Sequence, residues 1–387
     1  MDPKICVASN YFFPKGYGGK AVFELCRYLV KRGLEVHVVT SSVKGKPKYE
    51  LLQGIHVHRI PTHFQKIFNS EYPISPTVLA SIMEVIRKYD INLVHINFIF
   101  SPLALGTGFL RSIGLIKIPV IVTSHGLTKG YSSTLTEIAS NLLGLFSKSL
   151  VLHQARAIVT VSMCENNYFK SEFSRKLHYI PNGVDTSIFK PLSENGKLIR
   201  EKLCVRKDDV LVLYFAHLRS AKGILTLLDA IDVVINETSN VKFLIAGTGP
   251  LREKVKKSLK NHEGRVHAFI RYIPDSDLPY LYNASDIYTL PSFVEGMPLS
   301  LMEAMACGKP VIATNVSDVP ILAKNGVNGI IIPPGNANVL AQSILHLAKN
   351  PELRKLMSQA NAKKMIEYDW AKIAEQYHLM YSSVIKT

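Results

Sequence analysis

The sequence predicts an α/β protein with two doubly wound domains, each built on a parallel sheet. Short β-branched apolar runs alternate with helical patterns, and two such series follow one another along the chain. Near-continuous apolar strands are typical of parallel sheets that are covered by helices on both faces. The length of 387 residues favours two cores over one, and a hydrophobic content of 47% with 20% charged residues is that of a folded globular protein.

The first series occupies the N-terminal half of the chain. We predict strands at residues 5–8, 36–40, 93–97, 120–124, 157–162 and 178–181. Helical patterns separate several of them, for example at residues 21–32 and 76–88. The stretch 91–110 lacks Asp, Glu, Lys and Arg, but its polar residues and Pro102 favour a buried strand, a turn and a helix start over a membrane-spanning helix.

The second series forms the C-terminal domain. Its predicted strands lie at residues 210–216, 241–246, 266–270, 287–291, 311–314 and 329–332. The domain boundary lies in residues 182–192, a segment punctuated by proline and glycine that no helical pattern crosses. We therefore expect an N-terminal domain of residues 1–185, a C-terminal domain of residues 186–355, and closing helices at 356–387 that can cross back to the first domain.

The chain carries a large excess of positive charge, with 46 Lys and Arg against 30 Asp and Glu and a formal net charge of +16. The first 180 residues hold 21 of the basic but only 10 of the acidic side chains, so most of the excess lies in the N-terminal domain. Such a surplus favours an anionic partner: a phosphorylated substrate, an acidic membrane surface or a nucleic acid. No nucleic-acid-binding motif is readable, so we predict no nucleic-acid partner.

A loop predicted at residues 61–76 combines aromatic and basic side chains, namely Phe64, Lys66, Phe68 and Tyr72. Such a loop is suited to an anionic membrane interface. It is equally suited to packing its aromatic side chains inward. The two alternatives stay open at the level of sequence.

The cysteines and the N-terminal sequence indicate in which cellular compartment the protein is expected. The five cysteines stand singly, their number is odd and no CxxC occurs, so a reducing compartment is favoured over a disulfide framework. The N-terminus has no charged leader followed by an apolar stretch and a cleavage site, so we expect no signal peptide. We therefore expect a cytoplasmic protein, peripheral on the cytoplasmic membrane face where it meets anionic lipid.

The most informative stretch is residues 292–314, SFVEGMPLSLMEAMACGKPVIAT. Pro298 stands where a helix begins, because its missing N–H costs nothing there. The loop before it carries Glu295 and Gly296, and the N–H groups of a helix N-terminus bind phosphate oxygens. Glu303, about one turn into the helix, can accept two hydrogen bonds from a ribose diol. Taken singly, Glu295 is a turn residue and Glu303 a surface residue; the whole string favours binding.

Further candidates lie where predicted strands end. His125 follows the strand at 120–124, and ligands bind at the carboxyl ends of strands in open α/β sheets. Gly18 and Gly19 lie between a strand and a helix, where the backbone can approach a diphosphate, although a simple tight turn explains them too. Gly247 begins a GxG without a third glycine, which disfavours a dinucleotide oxidoreductase. No HExxH and no Cys/His cluster occurs, so we predict no bound metal and no tightly bound cofactor.

The string EGMPLSLMEAMACGKPVIAT resembles retaining glycosyltransferases of family four, whose E-x7-E motif is matched by Glu295 and Glu303. Further segments resemble that family in the same order: Tyr17-Gly18-Gly19, Lys31-Arg32-Gly33, Ser124-His125-Gly126, Pro181-Asn182-Gly183-Val184-Asp185, and residues 218–223, 246–250 and 284–286. The resemblance extends over nearly the whole chain. It implies the GT-B fold, in which two Rossmann-like doubly wound domains face a cleft.

The resemblance implies a hexosyltransferase-like enzyme that moves a sugar from a nucleotide sugar to a hydroxyl with retention and without metal. The donor substrate is a UDP- or GDP-sugar bound by the C-terminal domain, and the acceptor is a glycan or a lipid-linked or phosphorylated molecule bound by the N-terminal domain. The catalytic positions it implies are Glu295, His125, Arg219 and Lys222. The donor-binding positions are Gly18, Gly19, Gly247, Gly296, Met297, Pro298, Leu299 and Glu303.

Within that resemblance each charged residue has a role. Glu303 holds the ribose hydroxyls, Glu295 contacts the donor sugar, and Arg219 and Lys222 neutralise the diphosphate, whose departure without a metal needs charge compensation. His217 stands where the family has an arginine, so either His217 or Arg219 meets the phosphate. Retention in the family is attributed to front-side attack, in which the leaving phosphate takes the acceptor proton, so His125 is not assigned as a general base.

Two other functions remain as alternatives. A nucleotide-sugar epimerase or a phosphorylase shares the two-domain architecture, and nucleotide-sugar turnover without an acceptor would favour an epimerase. A basic nucleic-acid-binding protein is the non-enzymatic alternative, and it requires steeply salt-dependent binding.

Overall fold

The computed structural model describes residues 3–12, 19–67, 70–99, 101–125, 147–262 and 264–386. The chain divides into two compact units. The first contains Met1–Pro181 and Trp370–Thr387, and the second contains Asn182–Asp369. The last helix of the chain therefore belongs to the first unit. No helix in the described ranges is long and apolar enough to cross a bilayer.

The first unit is built on a large, mostly parallel sheet. Its described strands are β1 (Lys4–Ala8), β2 (Glu35–Ser41), β3 (Tyr49–Leu52), β4 (Ile55–Ile60), β5 (His63–Ile67), β6 (Ser70–Ile74), β7 (Leu93–Asn97), β8 (Val120–Ser124), β9 (Ala157–Thr160) and β10 (Leu177–Tyr179). Eight of them form one sheet in the order β10-β9-β8-β7-β1-β2-β4-β3. All neighbours are parallel except β3, which runs antiparallel to β4, while β5 and β6 pair antiparallel in a sheet of their own.

Helices cover this sheet. They are α1 (Lys20–Lys31), α2 (Val78–Lys88), α3 (Pro102–Ser112), α4 (Met163–Phe173) and the last helix of the chain, Trp370–Lys386, with a π-helical turn at Lys148–Leu152. Strands β7, β8 and β9 are buried along their whole length, which is why they read as continuous apolar runs in the sequence. Helix α3 begins where the sequence predicts, because Ser101 accepts a hydrogen bond from the N–H of Ala104 and Pro102 occupies the first helical position.

The second unit is built on a six-stranded, wholly parallel sheet. Its strands are β11 (Val210–Phe215), β12 (Val241–Ala246), β13 (Val266–Phe269), β14 (Ile287–Leu290), β15 (Val311–Thr314) and β16 (Gly329–Ile332). They are arranged in the order β13-β12-β11-β14-β15-β16. Its helices are α5 (Ser193–Lys202), α6 (Ile224–Glu237), α7 (Arg252–Leu259), α8 (Leu278–Ala284), α9 (Leu299–Ala306), α10 (Val319–Leu322), α11 (Ala337–Lys349) and α12 (Pro351–Met365). The helix Trp370–Lys386 of the first unit is α13.

The strand order indicates one candidate binding position on each sheet. In the second unit the order reverses between β11 and β14, and in the first unit it reverses between β7 and β1. In open α/β sheets ligands bind outside the carboxyl ends of the strands, at the point where the strand order reverses. The segments that follow β11 and β14 in the second unit are therefore the first place to look for a site.

The structure confirms the predicted fold class, and every predicted strand is present within two residues of its predicted bounds. Two predictions were wrong. The first sheet is not wholly parallel, because the edge strand β3 is antiparallel. The segment 61–76, predicted as a loop, contains the paired strands β5 and β6. Phe68 lies outside the described residues, as do the side chains of Phe64, Lys66 and Tyr72.

Candidate active site

The carboxyl end of β14 leads into a loop and then into helix α9. The N-cap residue of this helix is Pro298, whose side chain makes no capping hydrogen bond, and the N–H groups of a first turn have no partner within the helix. The side-chain amide of Asn182 donates a hydrogen bond to the carbonyl oxygen of Met297 over 3.0 Å, which holds the loop at the helix start. Such a helix start is suited to bind an anion. The predicted donor-binding positions at this end of the helix are Gly296, Met297, Pro298 and Leu299.

Glu295 lies at the centre of this loop and is held from two sides. Lys222 Nζ lies 2.7 Å from each of its carboxylate oxygens, and Ser292 Oγ donates a hydrogen bond to Oε1 over 2.7 Å. The Glu295 side chain is only 4% exposed, while that of Lys222 is 28% exposed. A carboxylate this deeply buried needs both its counter-charge and its hydrogen bonds to be stable.

The loops after β11 and β14 approach each other closely, and Gly223 permits it. Gly223 has a φ of +69°, and a Cβ on it would lie 1.7 Å from the carbonyl oxygen of Pro291. Beside it the N–H of Phe293 donates a hydrogen bond to the carbonyl oxygen of Ala221 over 2.8 Å. The close approach brings Lys222 of one loop to Glu295 of the other. The contact therefore depends on a glycine that no other residue type replaces without a backbone shift.

Glu303 is buried on helix α9, with 4% of its surface exposed, so the surface alternative that the sequence left open is wrong. The hydroxyl of Tyr282, on α8, donates a hydrogen bond to Glu303 Oε2 over 2.8 Å. Burial, with the nearby Glu303 charge as a second cause, raises the pKa of Tyr282 well above its usual range. The phenol therefore stays protonated and acts as a donor to the carboxylate.

Arg219 and His217 form a pair after β11. Arg219 Nε donates a hydrogen bond to His217 Nδ1 over 2.7 Å. Burial, together with the positive charges of Arg219 and Lys222, lowers the pKa of His217 to about 4. Near neutral pH the imidazole is therefore uncharged, and Arg219 is the cationic member of the pair.

Gly247 follows β12 and begins a loop that packs on the segment carrying Arg219. Gly247 has a φ of +126°, a conformation that residues with a Cβ rarely adopt. The N–H of Leu218 donates a hydrogen bond to the carbonyl oxygen of Thr248 over 2.9 Å, and a Cβ on Gly249 would lie 2.5 Å from the carbonyl oxygen of Leu218. The glycines of this loop therefore allow backbone to pack on backbone beside the candidate phosphate-binding residues.

His125 directly follows β8 in the first unit. Its Nε2 lies 3.1 Å from Asn97 Oδ1, at the end of the neighbouring strand β7, and its ring centroid lies 4.6 Å from that of Phe98. Burial lowers the pKa of His125 to about 4. The neutral imidazole donates its Nε2–H to the amide oxygen of Asn97, which makes Nδ1 the acceptor nitrogen. Phe98 has a φ of +69°, unusual for a bulky residue and frequent near functional sites.

The glycine pair that precedes α1 is only partly described. Gly19 is the N-cap of α1 and, as a glycine, has no side chain with which to cap that helix. Gly18 lies outside the described residues. The anion-binding role of the pair stays a prediction.

The predicted residues fall into two groups, one in each unit. In the second unit Lys222 contacts Glu295, Arg219 contacts His217 and Glu303 contacts Tyr282, while Gly19 and His125 belong to the first unit. Sequence reasoning missed the partners Ser292, Tyr282 and Asn97. Asn97 alone left a usable signal, since it is a polar residue at the carboxyl end of a predicted strand.

The described residues contain no group of three or more His, Cys, Asp or Glu side chains that could hold a metal ion. The sequence contains one Asp-x-Asp triplet, Asp275-Ser276-Asp277. It forms a single 3₁₀ turn directly before α8. In that turn the hydroxyl of Ser276 donates a hydrogen bond to Asp277 over 3.1 Å.

Two families match this chain. The model of the family described as "Glycosyltransferase Family 4" matches residues 18–188, and that of "Glycosyl transferases group 1" matches residues 196–364. Among similar proteins, the N-acetyl-alpha-D-glucosaminyl L-malate synthase of Bacillus anthracis is 23% identical over 376 residues, or 95% of each chain. The GDP-mannose-dependent alpha-(1-6)-phosphatidylinositol monomannoside mannosyltransferase of Mycolicibacterium smegmatis is 25% identical over 364 residues, or 92% of this chain and 91% of that one.

Solved structures share the architecture. The structure of HepE from Anabaena in complex with UDP-glucose has a TM-score of 0.79 at 19% identity, and the match covers 98% of this chain and 99% of that one. At this identity the likeness shows the fold alone. With the two family matches and the two parallel-sheet units, it leads to one conclusion: the chain belongs to glycosyltransferase family four and has the GT-B fold.

Proposed function

We propose that this glycosyltransferase moves a sugar from a nucleoside diphosphate sugar to a hydroxyl of its acceptor, with retention of configuration and without a metal ion. The observation that carries the proposal is the meeting of two loops at the point where the strand order of the second sheet reverses. There the Lys222–Glu295 pair lies on the loops after β11 and β14, and the second of these loops leads into a helix whose N-cap residue, Pro298, makes no capping hydrogen bond.

The charges of this region suit a departing diphosphate. Breaking the bond between the anomeric carbon and the phosphate oxygen leaves negative charge on the phosphate, and fixed donors lower the barrier when they already point at that position. Arg219 is cationic near neutral pH, Lys222 supplies a second cation, and helix α9 adds N–H groups and the positive end of its dipole. These groups compensate the negative charge of the departing diphosphate, as a divalent cation does in other enzymes.

In this proposal the two glutamates contact different parts of the donor. Glu303 accepts hydrogen bonds from the ribose hydroxyls, and Glu295 contacts the donor sugar. Both are buried carboxylates held by neighbouring donors, so each is fixed in place before the donor arrives. A fixed carboxylate loses little freedom on binding, which favours affinity and orientation.

The acceptor belongs to the first unit in this proposal, with His125 as a hydrogen-bonding residue. A histidine whose pKa is about 4 is a weak base at neutral pH, so it orients a hydroxyl instead of taking its proton. The acceptor oxygen forms its bond to the anomeric carbon on the face from which the phosphate leaves. The acceptor proton passes to an oxygen of that phosphate, and no other base is needed.

The donor and acceptor classes follow from the relatives and from the charge of the chain. HepE is solved with UDP-glucose, and the Mycolicibacterium relative is named for GDP-mannose and a phosphatidylinositol mannoside. We propose a UDP- or GDP-sugar as donor and a glycan or lipid-linked acceptor, reached from the cytoplasmic face of a membrane. The excess of basic side chains in the first 180 residues, 21 against 10 acidic, favours anionic lipid at that face.

The first test is a panel of UDP- and GDP-sugars, screened by thermal shift and then by mass spectrometry of transfer products. Anomeric NMR of the product reports the stereochemistry, and an assay with EDTA reports the metal requirement. We expect Glu303→Ala to weaken donor binding and Glu295→Ala mainly to lower turnover. An inverted product, loss of transfer with EDTA, or normal transfer by either variant would each contradict the corresponding part of the proposal.

Two controls separate the remaining alternatives. Turnover of a nucleotide sugar without any acceptor would indicate an epimerase, and a requirement for inorganic phosphate would indicate a phosphorylase.

Co-sedimentation with vesicles of neutral lipid and of 30% anionic lipid tests membrane binding. Equal sedimentation with both vesicle types would end the idea of an anionic membrane surface.

A further inference from the structure

A tyrosine that the sequence motifs do not include lies against Glu303. Tyr282 belongs to helix α8, and its hydroxyl donates a hydrogen bond to Glu303 Oε2 over 2.8 Å. Both residues are buried, and Tyr282 has no exposed surface. A hydrogen bond to a buried carboxylate offsets part of its desolvation cost, so this contact stabilises the Glu303 side chain at this place.

The ring of Tyr282 is held rigidly by other aromatic rings. The ring centroids of Phe189, Phe215 and Tyr288 lie 5.9, 6.1 and 5.8 Å from it, each in an edge-to-face arrangement. Glutamate has three rotatable side-chain bonds, and fixing them costs conformational entropy. A phenol locked by its neighbours can therefore hold a more flexible carboxylate in a single orientation.

Orientation matters for the ligand that Glu303 is proposed to bind. A ribose presents two adjacent hydroxyls, and one carboxylate accepts both hydrogen bonds only when its plane faces the diol. We propose that Tyr282 is the positioning residue that fixes the Glu303 carboxylate for the ribose diol of the donor, so that it contributes to the choice of ribonucleotides over deoxyribonucleotides. This inference rests on the proposed function, in which Glu303 holds the ribose.

The structure offers a matched control in Tyr288. This tyrosine is also fully buried, and its ring contacts that of Tyr282. Its hydroxyl donates to the carbonyl oxygen of Phe215 over 3.0 Å and lies 2.9 Å from Ser300 Oγ. Tyr288→Phe therefore removes a buried phenol hydroxyl from the same aromatic cluster without removing the donor to Glu303.

The experiment measures binding of UDP, GDP and their 2′-deoxy counterparts to the full chain by calorimetry. The readout is the ratio of the two dissociation constants, deoxy over ribo, for the base that binds. Hydrogen bonds to a charged group are worth about 1.5–3 kcal/mol, so we expect a ratio of about 10 or more for the unchanged protein. We expect Glu303→Ala to bring the ratio close to 1, Tyr282→Phe to lower it at least about threefold, and Tyr288→Phe to leave it unchanged.

The ratio distinguishes positioning from a general structural role. If Tyr282→Phe weakens ribo and deoxy forms equally, or if Tyr288→Phe lowers the ratio as much, the tyrosine only supports the fold and the inference is overturned. The double variant Tyr282→Phe with Glu303→Ala should show the same ratio as Glu303→Ala alone, because the tyrosine acts through the glutamate; a further change would also overturn the inference. A ratio that survives in Glu303→Ala contradicts instead the ribose role of Glu303, and with it that part of the proposed function.

Discussion

Replacement of Lys222 by methionine tests the central contact of the candidate site. Lys222 Nζ lies 2.7 Å from both carboxylate oxygens of Glu295, whose side chain is 4% exposed. The variant keeps a stem of similar length and removes the charge, so Glu295 retains the Ser292 hydroxyl but loses its counter-charge. Removing one partner of a fully buried ion pair costs about 3–5 kcal/mol. Because Lys222 itself is 28% exposed and water screens the pair, we expect a loss of about 2 kcal/mol.

Thermal unfolding followed by circular dichroism measures this loss. In a unit of this size about 1 kcal/mol lowers Tm by about 2–4 °C, so we expect Tm to fall by about 4–8 °C. Donor-dependent turnover should fall more steeply. Removing one group that stabilises developing charge costs about 100-fold or more in kcat, and Lys222 is proposed to compensate the charge of the leaving diphosphate.

The double variant Lys222→Met with Glu295→Gln separates stability from chemistry. It removes both charges, so no uncompensated carboxylate stays buried, and we expect Tm to return to within about 2 °C of that of the unchanged protein. Turnover should stay low, because both side chains act on the donor. A double variant that is as unstable as Lys222→Met would refute the electrostatic reasoning. A Lys222→Met variant that turns over at the normal rate would refute the phosphate role.

Three further predictions concern other contacts. Gly223→Ala should lower the free energy of unfolding by about 2 kcal/mol or more, because a Cβ would lie 1.7 Å from a backbone oxygen. The control is Gly326→Ala, where the φ is +76° and no atom lies within 4 Å of an added Cβ, and thermal unfolding measures both variants. Burial lowers the pKa of His125 and of His58 to about 4 and that of His95 to about 3, from an ordinary value of about 6.5, so the unfolded chain binds these protons first. The first unit should therefore lose stability as pH falls from about 6.5 towards 4, seen as a lower urea midpoint at pH 5 than at pH 7.5 in the fluorescence of Trp370, the single tryptophan of the chain. In ¹⁵N NMR the imidazole of His125 should show one tautomer, protonated at Nε2, and Asn97→Ala should give a mixture of the two; a mixture already in the unchanged protein would contradict the hydrogen bond between them.

The sequence predicts the central strands well and the edge strands poorly, for a physical reason. Strand β8 is buried along its whole length, so its apolar run is continuous and easily recognised. Strand β3 lies at the edge of its sheet, and exposed Tyr49 and Leu51 alternate with half-buried neighbours over only four residues. A pattern that short and that mixed does not differ enough from a loop. The same holds for β5 and β6, which pair only with each other.

In the candidate site, too, local features are predictable from the sequence and long-range contacts are not. Glu295, Gly296 and Pro298 are readable because loop and helix-start chemistry is local to a few neighbouring residues. The contact of Tyr282 with Glu303 joins residues 21 positions apart, and that of Asn97 with His125 joins residues 28 apart. No periodicity in the sequence encodes such pairs, since the fold alone decides which strand ends and helix faces become neighbours.

The topology explains why residues 73 positions apart, Lys222 and Glu295, form the contact at the centre of the site. Strands β11 and β14 are neighbours in the sheet although β12 and β13 come between them in the chain, so the loops after β11 and β14 leave the same edge side by side. Gly223 then lets their backbones touch, and the charged side chains meet as a consequence. An insertion that lengthened either loop would separate the ion pair without altering either of its members. The spacing of the two loops is therefore as much a part of the proposed chemistry as the charges they carry.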